Sequence, residues 1–276
     1  MFLKNIDFKY GGIAASEKWV LRNLSLRLGE KQCTAVVGPS GSGKTTLIQH
    51  FTGLLKPASG TVFFDDRDIW ARGFPLTELR QRIGLVFQFP ESQLFEETVF
   101  RDVSFGPKNM RLSAKEVEKR ARDALQAVEL DPDAYGTRSP FKLSEGEKRR
   151  VAIAGVLAME PEMMVFDEPT AGLDARGVQT FQTLVRRLVH QQKSVVIVTH
   201  DMDLVAEVAH RVVILLDGQI ISEISPRDLF ADANLLERAG LELPQFIRAL
   251  HRYESSLPAR LHQAVTLAEL LTLLKK

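Results

Sequence analysis

Gly38-Pro-Ser-Gly-Ser-Gly-Lys44-Thr45 fits the pattern G-x-x-x-x-G-K-[ST], and its position between two periodic segments decides the fold. The apolar run Gln32 to Val37 before it predicts a buried strand, and a helix is predicted from about Gly43 to Leu54. Glycines let successive backbone N–H groups turn towards one anion, and the start of a helix adds the positive end of its dipole there. The stretch therefore predicts a phosphate-binding loop. The alternative is a glycine-rich turn with an incidental lysine.

The side chains of this loop predict how a nucleoside triphosphate and Mg²⁺ are held. We expect Lys44 to reach the β and γ phosphates, Thr45 to give its hydroxyl to Mg²⁺ and Thr46 to bond the α phosphate. The loop itself is expected to wrap the phosphates through Gly38, Ser40, Gly41 and Gly43.

A second apolar run, Met163-Met-Val-Phe-Asp167-Glu168, ends in two acids. Burial of this strand would fix Asp167 at the carboxyl edge of the sheet, beside the phosphate loop, where it can hold Mg²⁺ through water. Glu168 would then face the γ phosphate and act as the general base for the attacking water. Taken alone, such a pair is more often a solvated strand end, and the phosphate loop beside it favours the functional interpretation.

Apolar β-rich runs alternate with helical patterns along most of the chain, which is typical of an α/β protein with a mostly parallel sheet. Antiparallel strands are predicted early in the chain, Asp217-Gly218 predicts a hairpin turn, and only helical patterns follow Pro226, with breaks at Pro244 and Pro258. The predicted strands are Leu3 to Lys9, Gly60 to Phe64, Gly84 to Phe87, Met163 to Phe166, Ser194 to Thr199 and Arg211 to Leu216; further helices are predicted from Ser113, with Glu116 at capping-box spacing, and over Asp174 to Gln192.

Composition excludes several classes of protein. The 276 residues are 45% hydrophobic, so disorder is excluded, and 36 Lys and Arg against 35 Asp and Glu give no basic excess that would favour nucleic acid. The single cysteine, Cys33, allows neither an internal disulfide nor a cysteine zinc site and fits a reducing cytoplasm. No run reaches the roughly 18 apolar residues of a spanning helix, although docking on a membrane protein remains open.

Five further motifs, in the expected order, make the sequence resemble an ATP-binding cassette ATPase over roughly Phe2 to Phe230. Such proteins have the P-loop NTPase fold: a mostly parallel core sheet, an antiparallel β subdomain and a helical subdomain, here expected at about residues 89–160, with 231–276 as a helical appendage. The motifs are the signature sequence Leu143-Ser144-Glu145-Gly146-Glu147, the Q-loop Gln88, the D-loop Ala171-Gly172-Leu173-Asp174, the switch His200, and Tyr10 at the position of the aromatic that stacks on adenine.

The resemblance implies two ATP sites at a head-to-tail dimer interface. One subunit would contribute the phosphate loop, the Mg²⁺ ligands Thr45, Gln88 and Asp167, and a catalytic set of Lys44, Gln88, Glu168 and His200. The other would contribute Ser144 and Gly146, with Asp174 also at the nucleotide. A helix start at Ser144 can face a γ phosphate but cannot reach its own phosphate loop, which is consistent with sharing.

The signature departs from the family pattern, because Glu145 and Glu147 replace a glycine and the glutamine. Ser144 and Glu147 also have capping-box spacing, so the segment could be only a well-capped helix start. Our hypothesis is that Glu147 is a cap, screened by Arg149 or Arg150 and tolerated by catalysis.

The segment after Gln88, Phe89-Pro-Glu-Ser-Gln-Leu-Phe95 with Asp102-Val-Ser-Phe-Gly-Pro107, is similar to energy-coupling factor transporter ATPases, in particular the second of the paired subunits. These proteins take up vitamins or transition-metal cations into prokaryotic cells. The resemblance implies a peripheral position on the cytoplasmic face of the membrane. It also implies a partner ATPase, for which a paralogue is favoured over an identical chain. The membrane partners would be a transmembrane T component and, indirectly, a substrate-binding S component. The alternative for Leu94, Phe95 and Phe105 is an ordinary helical subdomain with an apolar face.

The C-terminal stretch predicts one more capped helix, in which Thr266 and Glu269 have capping-box spacing. Its apolar stripe could pack on its own domain or on another subunit; in the family, the tail contributes to contacts between the two ATPases. The stripe consists of Leu267, Leu270, Leu271 and Leu274.

Two other functions compete with a transporter subunit. A soluble cassette ATPase acting on nucleic acid or ribosomes would commonly have two cassettes, a long coiled coil or zinc cysteines, and this sequence has none of these. A nucleotide sensor that does not hydrolyse ATP would need neither the base Glu168 nor the switch His200.

Overall fold

A six-stranded sheet lies at the centre of the computed structural model, which describes residues 1–11, 18–252 and 264–275. The strand order is β10-β9-β3-β8-β7-β6, and β10 alone among these described strands runs antiparallel to its neighbour. The strands are β3 (Cys33–Val37), β6 (Ile83–Val86), β7 (Met163–Asp167), β8 (Ser194–Val198), β9 (Arg211–Leu216) and β10 (Gln219–Ile224).

An antiparallel sheet with the order β2-β1-β4-β5 forms the β subdomain in the described part of the chain. Its strands are β1 (Phe2–Phe8), β2 (Leu21–Arg27), β4 (Ser59–Phe64) and β5 (Arg67–Asp68). The two early strands predicted from the sequence are therefore direct neighbours, with Leu3 opposite Val62.

The helices fall into three groups. Those around the core are α1 (Lys44–Phe51), α2 (Leu76–Arg82), α7 (Ala175–His190) and α8 (Met202–Val208). The helical subdomain contains α3 (Val99–Asn109), α4 (Ala114–Ala127), α5 (Pro132–Tyr135) and α6 (Glu145–Leu157). The C-terminal helices are α9 (Pro226–Ala231), α10 (Ala233–Ala239), α11 (Gln245–Arg252) and α12 (Leu267–Leu274).

Successive side chains of a strand point to opposite sides, so the fully buried strand β7 contributes to the cores on both faces of the central sheet. In β7, Met164 and Phe166 join the hydrophobic core beneath the helical subdomain, whereas Met163 and Val165 join the core shared with the β subdomain. The thiol of Cys33 is fully buried in β3, and burial raises its pKa to about 12.

Most predicted elements are present, with small shifts at their ends. Helix α1 ends at Phe51 rather than Leu54, because Gly53 turns the chain into the left-handed region with φ of 61°. Ser113 caps α4 as predicted, but the Glu116 carboxylate bonds Arg120. Pro244 immediately precedes α11, and Pro258 lies outside the described residues.

Helix α12 exposes most of its predicted apolar stripe. Thr266 caps the helix by accepting from the Glu269 N–H, and the Glu269 carboxylate accepts the Val265 N–H and bonds Arg227. The side chains of Leu267, Leu271 and Leu274 are exposed, so this chain does not bury them against its own described residues. Within those residues, no helix is both long and apolar enough to cross a membrane.

The contact between β6 and α6 gives a first prediction. A Cβ at Gly84 would lie 2.5 Å from Val156 Cγ1, so Gly84→Ala should lower the free energy of unfolding by about 1–3 kcal/mol through overpacking. The matched control is Gly155→Ala in α6, where a Cβ would meet nothing within 4 Å and should stabilise by about 0.5–1 kcal/mol. Urea denaturation followed by circular dichroism measures both; equal stability of the two variants would contradict close packing at Gly84.

Candidate functional site

The predicted phosphate loop joins β3 to α1, and two of its glycines are required by the backbone. Gly38 has φ of 146°, and a Cβ there would lie 2.0 Å from the Leu215 carbonyl oxygen. Gly43 has φ of 104° at the start of α1. The Lys44 ammonium donates to the carbonyls of Gly38 and Pro39 at 2.8 and 2.9 Å, which places its charge across the mouth of the loop.

Lys44 and Asp167 have opposite charges at one edge of the sheet. Burial lowers the pKa of Lys44, while the nearby Glu168 and Asp167 carboxylates oppose this effect. Burial raises the pKa of Asp167, and the hydrogen bond from the Thr45 hydroxyl, 2.9 Å long, opposes that shift. The hydroxyl and carboxylate predicted to hold Mg²⁺ are therefore in direct contact.

Glu168 lies one residue beyond β7 with a left-handed φ of 47°. Its N–H donates to the Val198 carbonyl at 2.9 Å, which continues the pairing of β7 with β8. The Glu168 carboxylate lies 3.0 Å from His200 Nδ1, and the Thr199 hydroxyl is 3.4 Å from it. The predicted base and the predicted switch histidine are thus hydrogen-bonded partners.

Tyr10 lies over the start of α1. Its hydroxyl is 2.9 Å from Thr46 Oγ1, and its ring packs edge-on against Phe8 while remaining partly exposed. An open cavity of about 1180 Å³ begins at this ring and contains most of the predicted site residues on its lining. These are Tyr10, Gly38, Ser40, Gly41, Gly43, Lys44, Thr45, Thr46, Gln88, Asp167, Glu168 and His200.

The signature residues lie elsewhere. Ser144, Gly146 and Asp174 line a separate cavity of about 570 Å³ formed by α6 and the start of α7. Asp174 caps α7 by accepting the Gly177 N–H at 2.7 Å. The structure therefore groups the predicted site residues into two surfaces of one chain, and Ser144 does not reach the Lys44 cavity.

Glu147 is a cap, as hypothesised. Ser144 and Glu147 form a reciprocal capping box, and the Glu147 carboxylate also accepts from the Tyr135 hydroxyl at 2.7 Å. These hydrogen bonds, first of all the one from the Ser144 backbone, lower the pKa of Glu147 to about 2. The charge of Arg150 contributes, whereas Arg149 bonds other partners; Glu145 pairs with Lys148.

Two parts of the cavity wall were not predicted from the sequence. The Thr170 hydroxyl donates to the Asp201 carboxylate at 3.1 Å, which joins the loop after Glu168 to the loop after His200. The C-terminal part of the chain also lines the cavity, through residues 240–243 in the loop between α10 and α11 and through Gln245 and Arg248 of α11. The N–H of Gln245 donates to Asp203 at 2.8 Å, in the helix that follows His200. Asp201 is a helix-cap residue type in the sequence, but nothing local indicates its contact with Thr170 or the contact between Asp203 and Gln245.

Comparison with known proteins supports a nucleotide-binding site of this kind. A model of the ABC transporter family matches residues 21–171. The energy-coupling factor transporter ATP-binding protein EcfA2 of Symbiobacterium thermophilum is 50% identical over 81% of this chain and 77% of its own length. Among solved structures, cbiO1 from Clostridium perfringens, described as part of the ABC transporter complex cbiONQ, is 36% identical with a TM-score of 0.75, covering 92% of this chain and 98% of its own.

A second solved structure, the ATP-binding cassette MJ0796, is described as a dimer in a post-hydrolysis state bound to ADP and Pi. It is 32% identical, with a TM-score of 0.72, and the match covers 82% of this chain and 99% of that one. The chain therefore belongs to the ABC transporter family and has its ATP-binding cassette fold. Within that family it is an ATPase of the energy-coupling factor branch, as the resemblance implied, rather than a cassette acting on nucleic acid or ribosomes.

The capping box gives a second prediction. Because the folded pKa of Glu147 is below its ordinary value, its ionised carboxylate stabilises the fold above pH 4.5, and this contribution is lost as the pH falls from 4.5 towards about 2. Glu147→Gln should therefore lower the melting temperature at pH 7, with the difference from wild type shrinking over that acid range.

The rate of ATP hydrolysis by the same variant tests whether catalysis tolerates the negative charge of Glu147. We expect the maximal rate of Glu147→Gln to stay within tenfold of wild type. A rise of more than tenfold, about 1.4 kcal/mol of barrier, would show that the carboxylate at the signature slows hydrolysis.

Proposed function

We propose that this ATPase binds MgATP between the Lys44 loop and the Asp167 and Glu168 carboxylates, and that Glu168 is the base for hydrolysis. The observation that carries the proposal is the Glu168 carboxylate, held 3.0 Å from His200 Nδ1 on the wall of the cavity that contains Lys44. A carboxylate fixed in this way can accept a proton from water while the histidine keeps it oriented.

The donor atoms at the sheet edge suit Mg²⁺. The Thr45 hydroxyl and the Asp167 carboxylate are hard oxygen ligands already in contact at 2.9 Å, and Gln88, whose side chain contains an amide oxygen, lines the same cavity. When bound, Mg²⁺ neutralises charge on the β and γ phosphates. Lys44 would neutralise further phosphate charge, the loop amides would hold the phosphates, and the Tyr10 ring would stack on adenine.

A second ATPase subunit would complete each site. Ser144 and Gly146 line a different cavity from Lys44 in their own chain, which leaves them available to a nucleotide held by another cassette. The similar cassette MJ0796 is a dimer with ADP and Pi bound. We propose a heterodimer with a paralogous ATPase, an identical pair being the alternative outcome, and we propose that the exposed leucines of α12 contribute to this pairing.

The proposed base is tested by Glu168→Gln, which keeps the shape of the side chain but cannot take up a proton. Phosphate release should fall to background, while ATP binding in the presence of Mg²⁺ is retained. Malachite green phosphate release and equilibrium binding of a fluorescent ATP analogue measure the two properties. Glu162→Gln, beside the opposite end of β7, is the matched control and should hydrolyse ATP normally. Hydrolysis by Glu168→Gln near the wild-type rate would refute the assignment.

We further propose that the chain docks on a transmembrane T component at the cytoplasmic face of a prokaryotic membrane and drives uptake of a vitamin or transition-metal cation, which an S component binds. Phe89, Phe95 and Phe105 support this: all three are exposed, Phe89 directly follows Gln88 in the chain, and Phe95 and Phe105 pack edge to face at 4.9 Å. Leu94 is instead buried in the core, so the ordinary packing alternative holds for that residue. A rigid, exposed aromatic pair suits an apolar helix of a partner.

The double variant Phe95→Ser, Phe105→Ser should lose its membrane partner. In affinity purification from detergent-solubilised membranes, the wild-type chain should bring membrane proteins with it, and the double variant should bring at least tenfold less. Leu54→Ser, which removes an exposed apolar side chain three residues beyond the end of α1, should behave like wild type. Equal recovery by the double variant would place the docking surface elsewhere.

A further inference from the structure

One guanidinium group in the helical subdomain is almost fully buried. Arg149 on α6 is 7% exposed, and its Nε and Nη2 atoms lie 3.3 and 3.4 Å from the two oxygens of the Glu91 carboxylate. Its Nη1 donates to the carbonyl of Ala171. The Glu91 side chain is itself only 14% exposed. A buried charge of this kind is stable only when its partners remain in place.

Arg149 and its two partners, Glu91 and Ala171, belong to three different segments around the site. Glu91 lies in the 3₁₀ turn Pro90–Gln93, which begins two residues after Gln88. Ala171 lies in the loop that leads from Glu168 to Asp174 and lines the nucleotide cavity. Helix α6, which carries Arg149, begins at the signature Ser144. One side chain therefore joins the turn after Gln88, the loop after the proposed base, and the signature helix.

The loop after Glu168 is held from two sides. On one side, the Thr170 hydroxyl donates to Asp201, next to His200. On the other, the Ala171 carbonyl accepts from Arg149, while the Ala171 N–H donates to the Glu168 carbonyl at 3.3 Å. A displacement of Arg149 would therefore shift backbone atoms that lie within a few bonds of Glu168. The left-handed φ of Glu168 must be maintained by these surroundings.

We infer that Arg149 is a positioning residue for ATP hydrolysis, which fixes the loop after Glu168 relative to the turn after Gln88. The inference rests on the proposed role of Glu168. Arg149 is not among the residues that line the Lys44 cavity; it acts through the Ala171 carbonyl and the Glu91 carboxylate. The planar guanidinium can serve both acceptors at once, whereas a lysine ammonium is a point charge that lacks this fork.

The test compares Arg149→Lys with wild type in the purified ATPase assembly. We expect the maximal rate of hydrolysis to fall at least tenfold, while KM and the Kd for ATP change less than threefold, because the phosphate loop is untouched. The matched control is Arg120→Lys, since Arg120 is also a largely buried arginine of the helical subdomain, with Glu116 and Glu160 as its partners at 2.8 and 3.1 Å. The control should keep its rate within twofold.

An equal rate loss in Arg149→Lys and Arg120→Lys, or a matching rise in KM, would mean that Arg149 only stabilises the subdomain and would overturn the inference. Should Arg149→Lys fail to fold, Glu91→Gln decides: a fall in maximal rate of at least threefold at unchanged KM supports the inference, and an unchanged rate overturns it. Glu168→Gln is assayed alongside, because its continued hydrolysis would refute the proposed base independently of the Arg149 result.

Discussion

The pairing of parallel strands β3, β8 and β7 is the constraint on which the site depends. In this order the carboxyl ends of the three strands meet at one edge, so the loop after Val37, the acids after Phe166 and the residues after Val198 come together although they are far apart in sequence. The register of Asp167 opposite Val198 fixes the Glu168 backbone, and this in turn fixes the carboxylate next to His200. A slip of one residue in β7 would exchange its two buried faces and remove the acids from the loop.

The charges at this edge are held at a cost to the fold. Asp167 and Lys44 are partly desolvated, as the opposite shifts of their pKa values show, and Glu168 has a backbone conformation that is unfavourable for its residue type. Hydrogen bonds from Thr45 and from the strands compensate for part of this cost. The same groups are suited to phosphates and a cation, so the residues that oppose folding are those that we propose bind the substrate.

The sequence predicted the parts of the site that are built from contiguous residues. The Lys44 loop, the Asp167-Glu168 strand end and the Ser144 cap each combine a local pattern with an element boundary, and parallel-sheet topology then brings the first two together. Contacts such as Arg149 with Glu91, or Gln245 with Asp203, join distant residues that follow no local pattern. They depend on how whole elements pack, and the sequence around them contains no sign of the partner. The exposure of the α12 leucines was open for the same reason.

The buried thiol of Cys33 has a practical consequence for studying motion in this ATPase. Since it is fully enclosed in β3 and its pKa is about 12, almost no reactive thiolate is available to a maleimide or methanethiosulfonate reagent at neutral pH. Because the chain has no other cysteine, spin labels or fluorophores could be attached at any introduced surface cysteine without first removing the native one. Distances between the Gln88 turn and the C-terminal helices could then be followed through the ATP cycle in an otherwise native protein.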